Sequence, residues 1–394
     1  MGGLVRKTFA LNLRVLQFFG LYPSRNYKTL YKTYAYIFYF IFIVPPPILT
    51  SLYFVFGENV DLALVAQNAF AIAETGCFVF KLLQFIKNAE KIRKCIYMME
   101  NSIFLTYTQA QEHIIDEYIS VCTRNSYFFL FFCILTAVSW AIVPLFGKEY
   151  KLPLDIWLPY DITSGGRSYI LSYIFIVLGA GNGAISNGAI DPLIAGLACY
   201  ATSQIKILKD NLQHLSEYAE ENISDKHVVR NGEQENKLKC MIIYNRIKFC
   251  VAHHNAILDF IENYQAIYSS VVFTQFSASV LVICICCFKL SQVRLLSLTF
   301  MWMVIFLATM LSEIFLYCYF GTMLFEENNT LINSIYMGKW YEYDLKSQKA
   351  LIMLMERSRK PIIVTAGKIL DLSLETFTTI LRRAYSLLAV LKNY

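Results

Sequence analysis

The sequence is poor in charged residues, which make up 16% of its 394 residues beside 56% hydrophobic and 15% aromatic residues. Soluble globular proteins carry about 25% charged residues, so this composition excludes a simple soluble enzyme. Catalytic motifs are missing as well: there is no glycine-rich phosphate loop, no Gly-x-Ser-x-Gly elbow and no His-Glu-x-x-His pair. The net charge of +6 gathers into no basic cluster, so the sequence does not indicate a nucleic-acid partner.

The eleven cysteines are absent from every predicted outer loop. Free cysteine behaves as a small hydrophobic residue that is favoured in buried helices, so packing is expected rather than disulfide formation or metal ligation. His253 and His254 are adjacent and therefore point to different faces of a helix, a poor geometry for one metal ion. We expect them on a solvated cytoplasmic helix and predict no metal and no cofactor.

Seven apolar stretches are present, and each is long enough to cross about 30 Å of hydrocarbon. The seventh is weaker than the others because five ionisable residues interrupt it. The sequence thus predicts an all-α membrane protein with a cytoplasmic segment at residues 1–33, helices 1–6 within residues 34–324 and a last helix within residues 362–394. The predicted spans are 34–56, 62–86, 127–146, 169–188, 264–288, 295–324 and 362–391.

The distribution of lysine and arginine predicts the orientation of the chain. The N-terminus and the loops on its side carry 25 of these residues, whereas the opposite side carries 6. Because positive residues remain cytoplasmic, the N-terminus is predicted inside and the C-terminus outside. The sequons at Asn222 and Asn328 lie on the predicted cytoplasmic side and argue the other way as glycan acceptors, but a three-residue pattern often arises by chance.

The fourth span has no clear end, because its helix-compatible pattern continues from Tyr169 through Leu212. A helix of about 50 residues is roughly 75 Å long, so the fourth helix should project into the cytoplasm. The following loop, about residues 213–260, contains a polar stretch at 220–239 that we expect to be disordered. Small residues at 179–184 within the span either let helices approach closely or leave room for a ligand.

Ionisable residues inside predicted spans are costly and are therefore functional candidates. For Glu74, pairing with another helix and contact with a ligand are equally acceptable interpretations. Lys81 lies seven residues later on the same face and is expected to extend its ammonium group to the inner surface. Asp191 on the long fourth helix is expected to be structural.

The last predicted helix carries a polar stripe at steps of three and four residues. A polar stripe in a membrane must face water or other protein. One chain offers a single stripe, so a water-filled path would require several subunits around an axis, and an apolar residue on the stripe would close it by dewetting. Packing of the stripe against this chain's own helices is the alternative. Its members are Asp371, Glu375, Thr379, Arg382, Ser386, Val390 and Asn393.

Several motifs in the C-terminal quarter resemble, in order and spacing, those of the insect odorant receptor family. They are Tyr317-Cys-Tyr-Phe-Gly321, Ser334-Ile-Tyr-Met-Gly-Lys-Trp340, Arg359-Lys-Pro361, Thr365-Ala-Gly-Lys368 and the segment from Leu372 to Arg382. The resemblance implies an odorant-specific subunit that assembles with the coreceptor Orco into a tetrameric, odorant-gated, nonselective cation channel. Such a channel would lie in the plasma membrane of olfactory sensory neuron dendrites. The coreceptor has a longer loop between helices 4 and 5, so this chain resembles a tuning subunit.

The resemblance also implies roles for particular residues. Residues 325–361 would belong to a cytoplasmic anchor between subunits. The last helix would line the pore, with its gate at Val390, a polar ring at Asn393 and further lining by Glu375, Arg382 and Ser386. A volatile ligand would bind in the outer half of the bundle among helices 2, 3, 4 and 6. The expected pocket residues are Phe70, Glu74, Thr136, Ser139, Trp140, Tyr173, Ile176, Ala180, Trp302, Ile305 and Phe306.

A metabotropic receptor that couples to a G protein is the main alternative. The sequence has neither the Asp-Arg-Tyr triplet nor the Asn-Pro-x-x-Tyr motif of many such receptors, and its predicted orientation is inverted relative to theirs. A membrane enzyme or transporter would need convergent ionisable residues or repeated broken helices. The sequence shows neither feature.

Overall fold

The computed structural model describes residues 3–22, 28–56, 62–146, 151–160, 166–224, 232–295 and 297–392. Its helices are α1 (Leu4–Thr8), α2 (Ala10–Phe18), α3 (Lys28–Phe42), α4 (Pro45–Phe56), α5 (Leu62–Met98), α6 (Ser102–Leu105), α7 (Gln109–Ile142), α8 (Arg167–Gln213), α9 (Leu215–Ser224), α10 (Gly232–Gln292), α11 (Leu298–Asn329), α12 (Leu331–Met337), α13 (Leu345–Ser358) and α14 (Leu374–Lys392). Two 3-10 turns, Val143–Phe146 and Trp340–Glu342, and a hairpin of β1 (Thr365–Ala366) with β2 (Leu370–Asp371) complete these ranges.

Five helical segments within the described ranges are long and apolar enough to cross a membrane. They are Thr29–Phe56, Gln109–Phe146, Arg167–Gln213, Glu233–Gln292 and Leu298–Met337. Many of their large apolar side chains point outward, as Phe128, Phe131 and Leu171 do with more than half of their surface exposed. A helix that buries one side and exposes apolar residues on the other suits a lipid environment.

Helix α8 forms the centre of the bundle. Its 47 residues extend about 70 Å, and α2, α7, α10 and α11 pack around it. Every residue from 186 to 205 is buried, which is typical of a helix enclosed on all sides. The predicted continuation of the fourth helix to Leu212 is confirmed, and the helix remains continuous although it contains Pro192.

The region predicted as a loop between helices 4 and 5 is largely helical. Helix α9 and the start of α10 occupy most of residues 213–260, so the predicted disorder is wrong for the part of the stretch 220–239 that the structure describes. The prediction that His253 and His254 are solvated is wrong too. Both side chains are buried, and the imidazole Nε2 of His253 lies 3.1 Å from the amide oxygen of Gln204 on α8.

The predicted cytoplasmic N-terminal segment also contains ordered structure. Phe9 on the turn between α1 and α2 is fully buried, and the Asn12 side-chain amide donates to the carbonyl oxygen of Ala189 over 2.9 Å. Asn328, one of the two sequon asparagines, is fully buried as well. A buried amide cannot receive a glycan, which removes that sequon from the argument about orientation. The side chain of Asn222 lies outside the described residues.

The last helix begins later than predicted. Residues 362–373 are not helical, because a hairpin replaces the first three turns expected in the span 362–391. Its turn needs left-handed backbone at Gly367 and Lys368, whose φ angles are 62° and 60°. The Gly367 amide donates to the Ser269 carbonyl oxygen over 2.9 Å, and the Leu374 amide donates to the hydroxyl of Thr322 over 3.0 Å. The start of α14 is thereby fixed to both α10 and α11.

Gly321 on α11 allows the closest approach to this segment. A β-carbon at Gly321 would lie 2.1 Å from the carbonyl oxygen of Leu372, a backbone atom that cannot rotate away. We expect Gly321→Ala to destabilise the protein by about 1–3 kcal/mol, because added volume in a packed interface forces the backbone to shift. The midpoint of thermal unfolding of the purified protein measures this effect.

Gly181→Ala is the matched control, since a β-carbon at Gly181 would meet no heavy atom within 4 Å. Alanine also has the higher helix propensity, so Gly181→Ala should leave the midpoint unchanged or raise it. Equal midpoints for the two variants would contradict the close contact at Gly321.

Candidate ligand-binding site

A cavity of about 120 Å³ lies among α4, α5, α7, α8 and α11. Its wall is mostly apolar and aromatic, with a few polar side chains, which is the usual character of a small-molecule site. The lining residues are Pro46, Ala71, Glu74, Thr75, Phe78, Cys133, Thr136, Ala137, Trp140, Leu154, Ile176, Ala180, Ala184, Asn187, Trp302, Phe306, Thr309, Met310 and Glu313.

Seven of the expected pocket residues line this cavity: Glu74, Thr136, Trp140, Ile176, Ala180, Trp302 and Phe306. Ser139, Tyr173 and Ile305 do not. The Ser139 hydroxyl donates to the carbonyl oxygen of Thr136 over 2.9 Å, and the Tyr173 hydroxyl donates to that of Ala141. The side chain of Phe70 lies outside the described residues.

The other lining residues were missed for two reasons. Ala184, Thr309 and Met310 lie about one helical turn from predicted residues and Glu313 lies about two turns away, where the same spacing argument reaches them once the direction of the cavity is known. Glu313 is also an ionisable residue in a predicted span, so the rule that selected Glu74 applies to it. Residues such as Pro46 and Leu154 come from segments whose packing no periodicity predicts.

The run of small residues on α8 serves both purposes that the sequence suggested. Ala180 and Ala184 line the cavity and leave its volume open. Gly179 and Gly183 face neighbouring helices, where added β-carbons would meet the Phe42 carbonyl oxygen at 2.6 Å and the Phe78 ring at 2.4 Å. Small residues thus bring helices together on one face and leave the cavity open on the other.

Lys81 lies next to the cavity in a buried polar network. Its ammonium group forms an ion pair with Asp191 on α8, donates to Asn187 on the same helix and lies 3.5 Å from a carboxylate oxygen of Glu313 on α11. It also donates to the side-chain oxygen of Gln275 on α10 over 3.3 Å. The predicted extension of Lys81 to the inner surface is therefore wrong, since its side chain is fully buried.

Asp191 accepts a second hydrogen bond, over 2.6 Å, from the hydroxyl of Tyr317. A buried charge is tolerated when it is paired and hydrogen-bonded, which explains why the polar residues of this network occur together. Lys81, Asn187, Gln275 and Tyr317 come from four helices, α5, α8, α10 and α11. The network is therefore a crosslink within the bundle at the polar end of the cavity.

Two carboxyl groups of the cavity wall each have an oxygen that accepts no hydrogen bond. Glu74 is 8% exposed and Glu313 is 1% exposed. Oε2 of Glu74 and Oε1 of Glu313 have no hydrogen-bond partner within the described part of the chain, but Oε1 of Glu313 lies 3.5 Å from the ammonium nitrogen of Lys81. Of the two interpretations of Glu74, contact with a ligand fits its position on the cavity wall.

The polar stripe of the last helix lies on the outside of the single chain. Glu375, Arg382 and Ser386 are exposed, whereas Ile380 and Ala384 are buried on the opposite side of α14. The stripe thus does not pack against the chain's own helices at these positions. The side chain of Val390 and all of Asn393 lie outside the described residues.

The Lys81 network generates a stability prediction. We expect Lys81→Met to destabilise the protein by about 3–5 kcal/mol, because removing one partner leaves buried carboxylates uncompensated. Adding Asp191→Asn should recover part of the loss by removing one of those charges. Thermal unfolding of the purified variants measures both effects.

Lys87→Met is the matched control, since Lys87 lies on α5 as well but is exposed. Surface charges contribute little to stability. Equal unfolding temperatures for Lys81→Met and Lys87→Met would show that the buried network does not hold the bundle together.

Comparisons with known proteins agree with this architecture. A family model described as 7tm odorant receptor matches residues 61–385. Odorant receptor Or1 of Anopheles gambiae is 22% identical over 98% of this chain and 95% of its own length. Odorant receptor 94a of Drosophila melanogaster is 27% identical over 68% of this chain and 67% of its own length.

A solved structure has the same fold. The insect olfactory receptor OR5 of Machilis hrabei, in complex with eugenol, superposes with a TM-score of 0.82 at 15% identity, covering 99% of this chain and 98% of the other. Members of this family are receptors rather than enzymes, so the absence of catalytic motifs has a direct explanation. The resemblance in the C-terminal quarter is confirmed over most of the sequence by the family model, and this chain belongs to the insect odorant receptor family.

Proposed function

We propose that this chain is the odorant-binding subunit of a heteromeric channel, in which it assembles with the coreceptor Orco and conducts cations nonselectively when a volatile molecule binds. The proposed location is the plasma membrane of olfactory sensory neuron dendrites. The observation that carries the proposal is the apolar cavity on α11, a helix that also holds the start of α14.

The cavity suits a small volatile ligand. Aromatic side chains of Trp140, Trp302 and Phe306 form much of its wall, and burial of apolar surface is the main source of affinity for a molecule with few polar groups. The structure of the related receptor OR5 was solved in complex with eugenol, which is also a small organic molecule. We assign ligand contact to the seven predicted residues that line the cavity and to the additional lining residues on α8 and α11.

The proposed pore is formed by α14 from several subunits. The exposed stripe of Glu375, Arg382 and Ser386 supports this arrangement, since polar residues inside a membrane must face water or a partner. Val390 is the proposed gate and Asn393 the proposed polar ring. A Val390→Ser channel with normal permeation and normal gating would contradict the assignment of the gate.

The orientation belongs to the same proposal. The distribution of positive residues places the N-terminus inside. An odd number of spans then places the C-terminus outside, and we count seven, with α5 as the second and α14 as the seventh. Segment 325–361, which contains α12 and α13, is the proposed cytoplasmic anchor between subunits. This orientation is incompatible with coupling to a G protein in the manner of the metabotropic alternative.

Ligand binding is proposed to open the pore through α11. Met310 and Glu313 of α11 line the cavity, Tyr317 bonds to Asp191, and Gly321 and Thr322 contact the start of α14. A ligand that fits the cavity better in the open state stabilises that state by the difference in binding free energy. Displacement of α11 would then be transmitted directly to the last helix.

Cells that express this chain with the coreceptor should show odorant-evoked cation currents that cells with this chain alone lack. Ala184→Phe should abolish the response because the added ring fills a cavity of about 120 Å³, while the amount of protein at the cell surface stays near that of the wild type. Whole-cell recording together with surface labelling measures both quantities.

Leu178→Phe provides the control, since Leu178 lies on the same helix but is 54% exposed. It should respond as the wild type does. Odorant-evoked currents of normal size in Ala184→Phe would show that the ligand does not bind in this cavity, and currents without the coreceptor would contradict the assignment as a tuning subunit.

An epitope tag after Tyr394 tests the orientation. If the C-terminus is outside, antibody added to intact cells should label the tag as strongly as antibody added after permeabilisation. A tag before Met1 serves as the control and should be labelled only after permeabilisation. Labelling of the C-terminal tag that requires permeabilisation would exclude the channel topology and favour the metabotropic alternative.

A further inference from the structure

The polar atoms of the cavity wall are unequally satisfied. The hydroxyls of Thr75, Thr136 and Thr309 donate to backbone carbonyl oxygens of their own helices over 2.6, 2.8 and 2.9 Å. The side-chain oxygen of Asn187 accepts from Lys81. The carboxyl group of Glu74, in contrast, keeps Oε2 without a hydrogen-bond partner among the described residues, whereas Oε1 of Glu313 lies 3.5 Å from the ammonium nitrogen of Lys81.

Charge is unequally distributed as well. Three buried carboxyl groups, of Glu74, Asp191 and Glu313, lie around the single ammonium group of Lys81. Lys81 forms its ion pairs with Asp191 and Glu313, and no ion pair of Glu74 occurs within the part of the chain that the structure describes. A buried carboxyl group needs either a proton or a cationic partner, so with one lysine at least one of these three groups must carry a proton or meet a further cation.

We propose that the ligand of this receptor is a small amine, whose nitrogen binds the carboxyl group of Glu74 and whose apolar part fills the aromatic end of the cavity. This inference rests on the proposed function and adds the chemical class of the odorant. Glu313, the second carboxyl group on the wall, lies at the same end and is paired with Lys81 at 3.5 Å.

An amine fits better than the other common volatile classes. An ammonium ion supplies both the positive charge and the donors that an ionised Glu74 needs, and a neutral amine accepts the proton of an un-ionised Glu74 to give the same ammonium carboxylate pair. An alcohol supplies a donor but no charge. An ester or ketone supplies acceptors only and leaves an ionised carboxylate unpaired, which is costly in a buried site.

The aromatic part of the cavity wall also favours an amine. Trp140, Trp302 and Phe306 line the cavity, and the rings of Trp302 and Phe306 lie 6.0 Å apart. Aromatic faces attract cations as well as apolar groups. A cavity of about 150 Å³ holds a benzene ring, so the volume of about 120 Å³ here favours a short chain, and a substituted ring enters only if side chains of the wall move apart.

The experiment uses three compounds of matched size on cells that express this chain with the coreceptor: phenethylamine, phenethyl alcohol and propylbenzene. We expect the amine to activate at a concentration about tenfold or more below that of the alcohol. A hydrogen bond to a charged group is more stable than a neutral one by about 1–1.5 kcal/mol, which corresponds to about a tenfold difference in affinity. Hexylamine, hexanol and heptane repeat the comparison with linear aliphatic compounds. Ethyl butyrate represents the acceptor-only class.

Glu74→Gln keeps the shape of the side chain and removes its charge. We expect it to raise the half-maximal concentration for phenethylamine at least tenfold, while surface labelling shows as much protein at the cell surface as for the wild type. Glu112→Gln is the control for the loss of a carboxylate, since Glu112 is exposed on α7, and it should respond as the wild type does.

The outcomes separate this inference from the proposed function. If the alcohol, the hydrocarbon or the ester activates as well as the amine, or if Glu74→Gln leaves the preference for amines intact, the amine assignment is wrong while the channel stands. Currents in response to other odorants without any response to amines lead to the same conclusion. The absence of any odorant-evoked current overturns both.

Discussion

The buried ammonium group of Lys81 is the interaction on which the arrangement of the bundle depends. It lies at the meeting point of α5, α8, α10 and α11, where Asp191, Asn187, Gln275 and Glu313 surround it. A charge removed from water is stable when oriented partners replace its hydration. The network can therefore form only when the four helices keep their mutual positions. The shape of the neighbouring cavity is fixed by the same positions.

The cavity and the last helix are joined through α11. One end of α11 contributes aromatic and polar residues to the cavity, its middle contributes Tyr317 to the buried network, and Gly321 admits the chain that leads into α14. The hairpin before α14 is bonded to α10, so the start of that helix cannot move independently of the bundle. Packed elements of this kind shift as units rather than deform locally, which is the property required of the proposed connection between a ligand site and a pore.

Helical periodicity predicted much of the site, and its failures have a common physical origin. Glu74, Thr136, Trp140, Ile176 and Ala180, which were chosen by depth in the membrane and spacing along a helix, line the cavity. Ser139, Tyr173 and Ile305 do not line the cavity, because spacing along a helix does not fix how far that helix is rotated about its axis.

The sequence by itself determined the all-helical membrane class, the length of the central helix and membership of the family, because apolar length, periodicity and short motifs are local properties of the chain. Tertiary structure decided which charges meet and where the last helix starts. Lys81 is 110 residues from Asp191, so no local pattern links them. The side chain of Lys81 is also long enough to reach either the surface or a buried partner. Residues 362–373 are similarly ambiguous, since their conformation is set by hydrogen bonds to α10 that form only after the helices have packed.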